Sequence, residues 1–134
     1  MCPERARVEV EELVGRGAKV QLVETDQCYA LVEAIKAPSP PWNRTSFDIL
    51  IAIPAAYDAA ELDSFYLELP YTFNGGEHSR IKGAVIDVLK RQWRLVSWHY
   101  PDGKQFRAGV DTIESHIVHC RGFFLARGAV NARV

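Results

Sequence analysis

The sequence predicts an α+β fold in which an N-terminal helix and a C-terminal helix flank one antiparallel sheet. Three observations carry this. Residues 3–16 place Val10, Leu13 and Val14 at helical spacing behind Pro3 and ahead of Gly15 and Gly17. The middle of the chain breaks into short apolar or alternating runs separated by Pro-, Gly- and Asn-containing stretches, the rhythm of a β-meander. Residues 113–124 then return to helical spacing, with Ile113, Ile117, Cys120 and Phe124 at i, i+4, i+7 and i+11.

The elements follow in order. "AKVQLVET" and "CYALVEAI" alternate around Asp26-Gln27 and predict a hairpin. "APSPPWNRTS" (37–46) has too many prolines for a regular element and predicts a loop. "FDILIAI" (47–53) is a buried strand stopped by Pro54, and "SFYLEL" (64–69) is the next, stopped by Pro70. "YTFNGGEHSR" (71–80) is a Gly-rich loop, β segments follow near 84–89 and 93–100, and "PDGK" (101–104) is a turn. Asp111 with Glu114 reads as a capping box for the last helix, Asp111 being the N-cap. Residues 1–134 are expected to form one domain with a core over about 4–126 and a tail at 127–134.

The composition is that of an ordinary globular chain, 48% hydrophobic and 25% charged, with net charge −1. No run reaches the roughly 18 apolar residues of a membrane span, and "MCPERARVEVEEL" is too charged for a signal peptide. A cytoplasmic location without membrane association is expected. Charge is segregated: Arg80, Lys82, Lys90, Arg91, Arg94, Lys104 and Arg107 face only Asp87 and Asp102 within 80–107, whereas 37–79 is acidic. Such a surface is either two-faced and solvated or a docking face for an acidic or extended partner. No finger or RNP-type motif accompanies the basic segment, so no nucleic-acid role is expected.

"ESHIVHC" (114–120) draws the eye as a metal or thiol centre. Cys120, however, lies in the apolar stripe, where a cysteine acts as a small hydrophobe. His116 and His119 at i, i+3 would need ligands from elsewhere to hold zinc, and His78 and His99 are single and distant in sequence. Neither a metal site nor a cofactor is expected. Cys2, Cys28 and Cys120 show no CxxC knuckle and no disulfide framework, and Cys2 is expected in a frayed terminus, open to thiol reagents.

A family resemblance enters with two longer passages. "FDILIAIPAAYDAAELDSFYLELP" resembles the strand–Pro–x–x–Tyr–strand passage of ubiquitin-conjugating enzymes. "RQWRLVSWHYPDGKQFRAGVDTIESHI" is similar to a prokaryotic ubiquitin-conjugating-enzyme-like family, family E, through Trp93, Ser97 and His99, then Phe106, Arg107, Gly109, Val110 and Asp111. The resemblance spans about residues 13–126. It implies a UBC-like fold whose irregular active-site segment lies between the last strand and the aromatic-Arg-x-Gly stretch. It also implies a carrier that accepts a ubiquitin-like protein from an adenylating activating enzyme and passes it to an amine.

The chain departs from the eukaryotic members. No His-Pro-Asn triplet precedes a cysteine, "HYPD" only imitates it, Tyr57 is followed by Asp58, and the first helix is rich in glutamate. No cysteine lies where the resemblance puts the chemistry. Ser97 does, with His99 as the nearest base. On an extended strand the two share a face about 6.6 Å apart, a gap that a bend or a water would have to close. The candidate site residues are therefore Ser97 as acyl acceptor and His99 as base, with Arg94, Arg107 and Trp98 binding the modifier's tail. A catalytically silent UBC-like module that only binds a ubiquitin-like protein or activating enzyme is the alternative, and a small metal-dependent hydrolase a third.

Overall fold

The structure, a computed structural model, describes residues 1–126. The tail expected at 127–134 lies outside the described residues. The order is α1 (Glu4–Gly15), β1 (Val20–Glu24), β2 (Cys28–Lys36), β3 (Ser46–Ile53), β4 (Phe65–Glu68), β5 (Ile81–Val88), β6 (Arg91–Val96) and α2 (Ile113–Leu125). The strands form one antiparallel sheet ordered β1-β2-β3-β4-β6-β5. This is the α+β, UBC-like arrangement expected.

Period-two alternation divides the sheet into two apolar faces. On the helix side Ala30, Val32, Ile49, Ile51, Phe65, Leu67 and Val96 meet Ala6, Val10 and Leu13 of α1 and Ile113, Ile117, Cys120, Phe123 and Phe124 of α2. The opposite face buries Tyr29, Leu31, Leu50, Val88 and Trp93, with no second layer over it among the described residues. Side chains of the sheet itself cover them: the Arg91 guanidinium lies 4.5 Å from the Trp93 ring centroid and pairs with Asp48 at 3.0 Å and with Glu68. Val14, expected in the helix stripe, is 51% exposed, and Ala6 takes the buried position.

Three sequence expectations are corrected here. β6 stops at Val96 instead of reaching residue 100, because beyond Ser97 the backbone finds its partners off the sheet. The capping box of α2 is Thr112 with Ser115, not Asp111 with Glu114: Ser115 donates its N–H to Thr112 Oγ1 at 3.1 Å, and Thr112 donates its own to Ser115 Oγ at 2.8 Å. Asp111 closes the preceding turn instead, accepting from the Arg107 N–H at 2.8 Å.

The third correction is covalent. Cys2 is neither frayed nor free but is bonded to Cys28 at the start of β2, with Cα atoms 5.1 Å apart and only 3% exposure. The antiparallel return from α1 into the β1–β2 hairpin brings residue 2 back to residue 28, and the Cys2 N–H donates to Glu24. A crosslink over 26 residues removes denatured-state freedom worth roughly 3 kcal/mol. Cys28→Ser, or reduction of the native protein, is expected to lower the unfolding free energy by about that amount in urea titrations. An unchanged midpoint would mean that noncovalent packing alone holds the N-terminus.

Candidate functional site

The site expected from sequence lies where the chain leaves β6. Ser97 adds one more ladder bond, its N–H donating to the Arg80 carbonyl at 2.9 Å. Trp98 and Tyr100 then run against α2. The Trp98 N–H donates to Ser64 Oγ at 3.3 Å and its indole N–H to the His119 carbonyl at 2.8 Å. His119 Nε2 returns a bond to the Trp98 carbonyl at 3.3 Å. The Tyr100 ring stacks on His119 at 3.7 Å between centroids, and its hydroxyl lies 2.6 Å from His116 Nδ1.

His116 is the hub of this latch. It is fully buried, and its Nε2 lies 2.8 Å from the Ser64 carbonyl. A carbonyl only accepts, so Nε2 carries the proton and Nδ1 accepts from the Tyr100 hydroxyl. Ser64 meets both the Trp98 N–H, through Oγ, and His116 Nε2, through its carbonyl, from a left-handed conformation, φ 56, immediately before β4. Burial pulls the His116 pKa down to about 4 and that of His119 below its ordinary value, and it raises the Tyr100 phenol. The eye-catching histidines therefore fasten α2 to the segment after β6. Both ring nitrogens of His116 are occupied, and among the described residues no group of three or more His, Cys, Asp and Glu side chains is placed to hold a metal ion.

Cys120 is fully buried beside them, and burial pushes its thiol well above the ordinary range. With Cys2 and Cys28 joined, the described residues present no accessible thiol. Thiol labelling of the native, oxidised protein is expected to modify none of the three. Reduction should expose Cys2 and Cys28 to reagent while still sparing Cys120. Rapid labelling of Cys120 would contradict its packing against Ile117 and Phe124.

Ser97 is half-buried, and His99 is exposed. They do not share a strand, since both lie past the end of β6, and among the described residues no hydrogen bond joins them. His99 instead sets Nδ1 3.1 Å from Asp63, with side-chain exposures of 61% and 46%. Asp63 thus fixes which imidazole nitrogen is engaged, and Nε2 is unengaged by any described residue. No sequence signal pointed to Asp63, which is 36 residues from His99 and reaches it only through the β3–β4 connection.

The far wall of this segment is built on Phe106, buried against Tyr100 at 6.0 Å and His116 at 6.1 Å. The Arg-x-Gly-Val-Asp turn behind it is closed by Val110 and Asp111 N–H bonds to the Arg107 carbonyl. Gly109 has φ +79, and an added Cβ would sit 3.3 Å from the Asp58 carbonyl, so the glycine is required. Helix α1 clamps the turn: Arg5 donates to the Asp111 carbonyl at 2.6 Å, and Glu9 accepts from the Ile113 N–H and the Tyr57 hydroxyl. The Arg107 N–H and guanidinium hold the Asp111 carboxyl below its ordinary range. Arg107 remains 70% exposed, whereas Arg94 turns back onto the Gly83 carbonyl at 3.2 Å.

This architecture agrees with comparison to known families. The model of prokaryotic E2 family E matches residues 7–124, nearly the whole described chain. The chain belongs to that family. No curated protein and no solved structure matches it. Family E membership identifies a ubiquitin-conjugating-enzyme-like protein and points to protein partners in a ubiquitin-like pathway. No helix among the described residues is long and apolar enough to cross a membrane.

Proposed function

We propose that this family E protein accepts a ubiquitin-like modifier from an adenylating activating enzyme, carries it as an ester on Ser97, and passes it to an amine. The observation that supports this best is a Ser97 hydroxyl with no hydrogen-bond partner among the described residues, two residues from a histidine held by Asp63, where the described residues present no accessible thiol. In the first step Ser97 Oγ attacks the modifier's C-terminal acyl carbon. The C–O ester bond forms, the bond to the activating enzyme's adenylate or thiol breaks, and the Ser97 proton passes to His99 Nε2. In the second step the acceptor amine attacks the ester carbon, the amide C–N bond forms as the C–O bond to Ser97 breaks, and the proton the amine loses passes through His99 Nε2 to the departing Ser97 oxygen. Asp63 stabilises the imidazolium between the steps. Arg107, Arg94 and the exposed part of the Trp98 ring are the groups proposed to meet the modifier's tail.

One observation favours a second reading. Ser97 and His99 are not hydrogen-bonded, which suits a silent UBC-like module that only binds the modifier or its activating enzyme. Reconstitution with ATP, the activating enzyme and the modifier separates the two. The transfer reading predicts an adduct that survives thiol and is cleaved by hydroxylamine. Binding without any adduct, from a demonstrably active activating enzyme, selects the silent module.

A further inference from the structure

His78 lies in the 71–80 loop and is 2% exposed. It is caged by aromatic rings, stacked on Trp42 at 5.5 Å with an interplanar angle of 9°, and set 4.6 Å from Phe73 and 4.7 Å from Phe123. Its Nδ1 accepts the Arg80 N–H at 3.0 Å, so the proton sits on Nε2, which is buried without a hydrogen-bond partner among the described residues. A phenylalanine would fill the same cage and leave no donor unmatched. What histidine alone adds there is the acceptor at Nδ1.

That acceptor bears on the candidate site through two backbone groups. The Arg80 N–H is held by His78, and the Arg80 carbonyl receives the Ser97 N–H at 2.9 Å. The Ile81 N–H also donates to the His78 carbonyl at 3.0 Å, closing the turn that launches β5. The rotation of the Arg80 peptides is therefore fixed from inside the aromatic cage, and with it the point where Ser97 leaves β6.

We propose that His78 is a positioning residue for Ser97, orienting the Arg80 backbone that anchors the Ser97 amide. The inference deepens the acyl-carrier reading and rests on it for its chemical consequence. Its structural link is tested without any activity.

The test is residue-resolved amide hydrogen exchange on the intact chain. His78→Phe keeps the cage filled but removes the acceptor. His78→Asn loses ring packing but offers Oδ1 to the N–H two residues on, as asparagine does in turns. The Arg80 and Ser97 amides of His78→Phe are expected to exchange about tenfold faster or more, a loss of roughly 1.4 kcal/mol of protection, while Leu50 and Ile51 in β3 stay protected. His78→Asn should restore protection at Arg80 and Ser97. In the adduct assay, His78→Phe should slow ester formation with modifier binding unchanged, and His78→Asn should recover it. Should the phenylalanine variant also lose protection in β3, His78→Leu repeats the comparison with a smaller side chain. Unchanged Ser97 protection in the apolar variant, or no recovery with asparagine, overturns the proposal. If Ser97→Ala leaves adduct formation intact, the carrier reading fails while the exchange result still stands, so the two failures are distinguishable.

Discussion

Ser97→Ala is expected to abolish the hydroxylamine-sensitive, thiol-resistant adduct, and His99→Ala to slow its formation by the roughly 10²–10⁴-fold typical of a lost acid–base group. A serine hydroxyl is scarcely nucleophilic near neutral pH without a base, and His99 is two residues away with one nitrogen engaged by Asp63 at 3.1 Å. Asp63→Ala should fall between wild type and His99→Ala, because it removes the group that orients the imidazole and leaves the imidazole itself. Ser97→Cys is a useful companion: an adduct that forms on it and becomes thiol-sensitive reports the same position through a different bond. An undiminished adduct on Ser97→Ala contradicts the assignment of the acceptor. A rate unchanged by His99→Ala contradicts the assignment of the base.

The second large effect is on stability against pH. His116 and His78 are buried neutral, each with its pKa lowered to about 4, chiefly by burial. In the unfolded chain both return to about 6.5. Between those values the unfolded state binds more protons than the native state, so stability is complete above pH 6.5 and is lost as pH falls toward 4. Below about 4 this contribution levels off. A displacement of that size corresponds to roughly 3 kcal/mol for each histidine, a large share of the 5–15 kcal/mol that holds a typical domain. Urea midpoints are expected to fall steeply over this window. His116→Gln keeps a donor for Ser64 and an acceptor for Tyr100 but cannot titrate, so it should be less stable at pH 8 yet show a shallower acid limb. An equally steep limb in that variant would contradict the assignment to His116.

Elements governed by local pattern were legible in the sequence. The first helix, the 47–53 and 64–69 strands and the final helix are read from apolar spacing and proline stops, and the structure places them within a residue or two. Cys120 was legible for the same reason, since the i, i+4, i+7 stripe fixes its face without reference to the rest of the chain. The failures share one cause. Trp98 and Tyr100 look like more of β6 until Ser64 and α2 supply their hydrogen bonds, and those partners lie 16 to 34 residues away. The Cys2–Cys28 bond likewise depends on where α1 delivers residue 2. Asp63 and His78 make contacts that no spacing rule marks. Thr112 was missed more narrowly, because Asp111–Glu114 and Thr112–Ser115 both fit an N-terminal signature and the turn at Arg107 decides between them.

The carrier account is tested most directly by locating the modifier on the wild-type chain. After reaction with ATP, activating enzyme and modifier, tryptic digestion releases residues 95–104, which include Ser97, His99 and Tyr100. Fragmentation of that peptide is expected to show the modifier's C-terminal residues joined to Ser97 through an ester. The modifier found on another residue, or a 95–104 peptide that stays unmodified while the activating enzyme is loaded, would contradict it.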